Sequence, residues 1–199
     1  MRTSDPGKRP PTRGQSLLEF ALALPVLLIL FLGLIELAMA MRAQLVLTNA
    51  NREAARYASH GAFTDEQVIE RTLFAFADQL PVELSGPDAN TGIIITRFHI
   101  PSGDGAPTYE EPYITGTLTY SDDGGDVFDT PSQIEPASYA QQLKEQNEGF
   151  FTANDVVLVE TYYHHRQVLH APLVEWFIPE PIVLYRRTAM RISRPRIQE

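Results

Sequence analysis

The 25 residues from Leu17 to Met41 contain only two charged side chains, Glu19 and Glu36. A helix rises about 1.5 Å per residue, so such a run reaches about 37 Å. That is enough to cross a hydrocarbon core of about 30 Å with tilt. A secretory signal has a shorter apolar region, about 7–15 residues, followed by a small-residue cleavage site. We therefore expect one membrane span over about residues 17–41, with the rest of the chain tethered to it.

A basic leader precedes the span. Arg2, Lys8, Arg9 and Arg13 are opposed there by Asp5 alone, and Gly14-Gln15-Ser16-Leu17-Leu18-Glu19-Phe20 follows. This layout resembles the processing site of Tad/Flp-type, type IV-like prepilins, in which a peptidase cuts after a Gly and a Glu-aromatic pair follows. The whole segment from Gln15 to Gly61, with Asn51-Arg52-Glu53-Ala54-Ala55-Arg56-Tyr57-Ala58 as its second recognisable element, is similar to the TadE family of pseudopilin-like proteins.

The resemblance implies a cut between Gly14 and Gln15, which makes Glu19 the fifth residue of the mature protein. It implies a minor pilin, pseudopilin or assembly component of a Tad (Flp) pilus, part of an adhesion or secretion machinery. Its partners would be the prepilin peptidase, other pilins or pseudopilins, and pilus platform proteins. It also implies residence in the bacterial cytoplasmic membrane, with a cytoplasmic N-terminus and an extracytoplasmic C-terminal domain. Charge alone supports that orientation weakly, because Arg42, Arg52 and Arg56 on the far side nearly balance the four basic residues of the leader.

Glu19 has the sharpest functional reading. A charged side chain inside a bilayer costs a few kcal/mol even on lenient scales, so it lies near an interface, is paired, or is functional. After cleavage, the new α-amine of Gln15 and the carboxylate of Glu19 stand four residues apart on one helical face. Between packed subunits these groups can pair and set the register of a filament, with Phe20 beside them. The alternative is a carboxylate snorkelling at the membrane rim. Glu36 reads as a marker of the outer interface, with pairing to a partner subunit the lesser option. Pro25 removes a backbone donor and loosens the helix; membrane helices also tolerate proline in its own right.

Past the span, Ala43, Leu47, Ala50, Ala54 and Ala58 recur at spacings of three and four. Arg42, Asn49, Asn51, Arg52, Glu53 and Arg56 take the polar positions. Residues 15–60 thus read as one helix, half membrane anchor and half stalk, with Gly61 as its stop. Residues 61–199 form the outer domain. Thr64-Asp65-Glu66-Gln67 has the shape of a capping box, and an apolar helical face runs on from it to Pro81. Four runs rich in β-branched and aromatic residues read as strands: Thr91–Ile100, Pro112–Ser121, Asp155–His164 and Ile182–Ile192. A short helix is expected around Ala137–Gln146, within an otherwise acidic, turn-rich insertion at 122–151. The expected architecture is α+β and pilin-like, a long N-terminal helix packed on a small antiparallel sheet.

Composition narrows the function classes. The chain has 16 basic and 25 acidic residues; without the leader's four and one, 12 and 24 remain, a net −12. Such a surface argues against nucleic acid. The absence of cysteine excludes disulfides, Fe–S clusters and thiol nucleophiles. Asp122, Asp123, Asp126 and Asp129 offer oxygen ligands for Ca²⁺, but their spacing matches no EF-hand. His164, His165 and His170 lack a zinc pattern and read as surface or partly buried histidines. No GxSxG, P-loop or GxGxxG occurs. We expect a protein that is not an enzyme and carries no metal or cofactor. Two further readings stay open: an unprocessed single-pass scaffold that keeps residues 1–14, and a membrane-tethered binding or catalytic domain unrelated to pili.

Overall fold

The computed structural model describes residues 13–61, 63–77, 79–86, 89–116, 119–121, 127–129, 132–146, 154–167 and 181–193. Helix α1 (Arg13–Ala58) runs without interruption through Pro25. It ends where the chain reverses at Gly61, whose φ of 69° suits a residue without a Cβ. The small-residue stripe is the packing face: Ala43, Leu47 and Ala54 are 0 % exposed, with Ala50 and Ala58 buried beside them.

Helix α2 (Asp65–Ala77) folds back along this face. Its start is the expected capping box. Gln67 N–H donates to Thr64 Oγ1, and Thr64 N–H donates to Gln67 Oε1. The stripe of α1 and the inner face of α2 lie on a five-stranded antiparallel sheet. Its central pair is β1 (Thr91–Ile100) and β6 (Asn154–His165), matched residue for residue from Thr91↔Tyr163 to Ile100↔Asn154. Beyond β6 lies β7 (Ile182–Arg191); beyond β1 lie the short β2 (Thr108–Tyr109) and β3 (Tyr113–Gly116). A separate hairpin pairs β4 (Thr119–Ser121) with β5 (Val127–Asp129).

Strand alternation sorts the core into two layers. Ile93, Ile95, Val157 and Val159 pack against Ala54, Ala55 and Ala58 of α1 and against Val68 and Ile69 of α2. On the opposite face, Phe98, Ile100, Val156 and Leu158 meet Ile134 and Ala140, the latter from helix α3 (Pro136–Gln146). Each large apolar side chain buried in these layers contributes roughly 1.5–3 kcal/mol. Helix α3 falls where the sequence places it. The expected strand over Pro112–Ser121 differs: it is two strands in two sheets. Gly116 has φ 81°, and a Cβ there would stand 2.2 Å from Thr91 O, so the chain turns away from β1 at that glycine.

Candidate functional site

Gly14 and Gln15 lie in the first turn of α1, so the expected scissile bond sits inside helical backbone. Space around Gly14 is open, with nothing within 4 Å of where a Cβ would stand. Glu19 and Phe20 follow on the same exposed stretch, Phe20 being 59 % exposed. Every side chain from Ser16 to Leu28 is exposed, and the first buried one along α1 is Glu36. An 18-residue window of the helix has a mean hydropathy of 2.6 and none of it is buried. The uncovered stretch from residue 17 to 35 is about 28 Å long, which matches a hydrocarbon core. Length and composition therefore suit α1 to crossing a membrane.

The domain grips α1 from Glu36 upward. Glu36 is 0 % exposed. The sequence reads it as a marker of the outer interface; the structure adds that it is seated under protein, at the level where the fold begins. Opposite this packed face, Leu34, Leu37, Met41 and Leu45 stay exposed and carry the apolar surface of the anchor past Glu36. Here the helix is two-sided: protein on one side, an apolar stripe on the other.

Polar side chains key α1 to the sheet. Asn51 is fully buried, and its Nδ2 donates to Val159 O at 3.1 Å, Thr161 Oγ1 at 2.9 Å and Arg186 O at 3.4 Å. Arg186 reaches back from β7 to donate through Nε to Thr48 Oγ1 at 2.9 Å. With its amide presenting Oε1, Gln44 accepts from the same guanidinium. At the far end, Ser193 N–H donates to Ser59 O at 2.8 Å. By residue type Asn51 falls among the polar positions of the stalk. The available signal was its spacing, four after Leu47 and three before Ala54, which puts it on the packing stripe.

The other face of the sheet holds a buried carboxylate. Glu160 accepts from Ser132 Oγ at 2.7 Å and from Tyr185 O–H at 2.8 Å. The Tyr162 hydroxyl beside it accepts from Gln133 N–H at 3.2 Å. Burial, reinforced by the Glu160 charge, pushes the Tyr162 phenol up to about 12. Burial and the bond to Glu160 raise Tyr185 as well. These phenols stay protonated as donors or bridges, an arrangement that holds the 132–135 segment on the sheet.

Toward the end of the domain remote from Glu36, a groove of about 650 Å³ is lined by Arg97, His99, Tyr109 and Asp155 among others. Its charges close on one another: Arg97 pairs with Asp65 at 2.5 Å, and His99 Nδ1 meets Asp155 Oδ1 at 2.5 Å.

Two histidines depart from expectation. His164 and His165 are buried, 3 % and 6 % exposed. Burial, then the charge of Arg166, lowers the His164 pKa, so its neutral form is the folded one near neutrality. His170, Asp122, Asp123 and Asp126 lie outside the described residues, and Asp129 ends β5. Among the described residues, no group of three or more His, Cys, Asp or Glu is placed to hold a metal.

Comparison with known proteins adds one match. Residues 14–56 match the family described as TadE-like protein. The matched stretch covers the uncovered helix and nearly the whole stalk, including Gly14, Glu19, Glu36 and Asn51. No curated protein and no solved structure matches the chain.

Proposed function

We propose, from this TadE-like segment, that the chain is a minor pilin or pseudopilin, or an assembly component, of a Tad (Flp) pilus. The family match supports a Tad-pilus-associated, membrane-anchored protein in general. The finer reading rests chiefly on one observation: the apolar anchor from Ser16 to Leu28 is exposed on all sides, while the domain is closed and packed above Glu36. Apolar surface of that extent needs lipid before assembly and other helices after it. Cleavage between Gly14 and Gln15 by a prepilin peptidase then frees the α-amine. Glu19 of one subunit pairs with that amine in its neighbour and sets the axial register. We read the protein as a structural component and not as an enzyme. The N-terminus is on the cytoplasmic side and the domain is extracytoplasmic.

An unprocessed, permanently anchored scaffold is the second reading. The helical backbone at Gly14 favours it, since a peptidase needs its scissile bond accessible in its own active site. Two measurements separate them. Intact mass of the protein from native membranes shows a chain starting at Gln15 under the pilin reading, and one retaining residues 1–14 under the scaffold reading. Glu19→Ala is expected to remain stable and cleaved while assembly into pili is lost. Normal piliation in that variant rejects the register role.

A further inference from the structure

Strand β6 descends α1 toward the anchor: Asn51 meets Val159 and Thr161, and Tyr163 packs with Ala43 and Leu47. Beyond its end, a cleft of about 190 Å³ opens between the helix and the domain. Met39 and Arg42 of α1, Leu80 and Pro81 after α2, and Arg166 after β6 line it. It therefore lies at the base of the domain, beside the point where α1 leaves protein cover.

Charge and depth both point to one ligand chemistry. The chain carries a net charge of −9, yet this small cleft brings two arginines together, both exposed. Glu36 and Glu83, the described carboxylates flanking these segments, do not line it. Arg42 lies six residues past Glu36, about 9 Å along the helix. A headgroup layer adds about 5–7 Å to each side of the hydrocarbon core. Side chains of a helix lean toward its N-terminus, so the Arg42 guanidinium reaches back to phosphate depth. A guanidinium has five donors in a fork that fits phosphate, so one held by protein on one side still has donors to offer. Met39, Leu80 and Pro81 provide an apolar wall for the glycerol and first acyl carbons.

We propose that this cleft binds the phosphate headgroup of an anionic phospholipid, seating the base of the domain on the membrane. The proposal rests on the reading of α1 as a membrane helix. Its consequence is that the domain is held at a fixed height and rotation about α1 before any partner engages the exposed stripe at Leu37, Met41 and Leu45.

The test uses the full chain in nanodiscs containing phosphatidylcholine with phosphatidylglycerol, followed by native mass spectrometry of the released protein. Each arginine at an anionic surface is worth roughly fivefold in partition. The wild-type chain is expected to retain phosphatidylglycerol over phosphatidylcholine, and the Arg42→Gln/Arg166→Gln pair to lose that preference about tenfold or more. Arg42→Lys keeps most of it, and Arg52→Gln, higher on the stalk, keeps all of it. Equal retention of both lipids by the wild type, or an unchanged preference in the paired variant with an unaltered melting curve, overturns the proposal. So does displacement by millimolar inorganic phosphate, which would make the site one for free phosphate. A chain that fails to enter nanodiscs at all rejects the membrane reading itself, before any lipid is counted.

Discussion

At Asn51 one amide joins the helix layer to the strands: its nitrogen faces three acceptors on β6 and β7, and its surroundings exclude water. A donor at that point is what the site requires. Asn51→Ala removes the donor and is expected to cost about 2 kcal/mol. Asn51→Asp puts a carboxylate, which has no donor when ionised, against Val159 O and Arg186 O. Its cost is expected to exceed about 3 kcal/mol at neutral pH. Urea unfolding of the two variants in the same detergent decides the matter, and equal losses would rule out the donor role. Asn51 also marks a limit of reading by residue type. Asparagine is mostly a surface residue, so type alone sent it outward, whereas its place on a 3–4 spacing put it inside. Glu36 adds to the lesson: its charge marks the end of the apolar run, and only the fold shows that protein closes over it.

Among the elements, α1 is the one whose surface changes character along its length. From Ser16 to Leu28 its side chains are exposed; from Ala43 to Ala58 its stripe of small residues lets the backbone lie close to α2 and the sheet. Ala54 is 0 % exposed and is packed against both α2 and the sheet. Ala54→Leu therefore overfills the contact and is expected to destabilise by about 1–3 kcal/mol. Leu45→Ala, on the same helix at a residue 67 % exposed, is expected to stay within about 0.5 kcal/mol. Thermal melts of the two variants are the comparison. If Ala54→Leu melts like the parent protein, the close approach is not needed. Helices α2 and α3 and strands β1, β6 and β7 were legible because period and capping chemistry are local. The break at Gly116 was not. Pro112–Ser121 has a continuous β-prone composition, and only the approach of Thr91 O to Gly116 explains why the strand ends there.

For the whole molecule, the first buried side chain on α1 divides anchor from domain. A chain starting at Glu36 keeps the entire packing face of α1 and is expected to fold with the melting temperature of the full protein, within a few degrees. A chain starting at Arg52 lacks Ala43, Leu47 and Ala50, which fill the layer against Phe76 and Tyr163, and Asn51, which bonds to β6 and β7. It is expected to lose cooperative unfolding. Circular dichroism melts of both fragments test this division, and a folded, cooperative second fragment would show that the upper stalk is dispensable.

The sequence by itself determined that a 25-residue apolar run must leave water, that the residues after it form a helix with one small-residue face, and which later segments are strands. Those are properties of local period and composition, and they hold wherever the chain goes. Only the tertiary structure decided how far down the helix the domain reaches, that Asn51, Glu36 and Glu160 are inside, and that two arginines from distant segments share a cleft beside the anchor. Burial and juxtaposition depend on residues more than a hundred positions apart, such as Asn51 and Val159, and one-dimensional spacing carries no record of which of them meet.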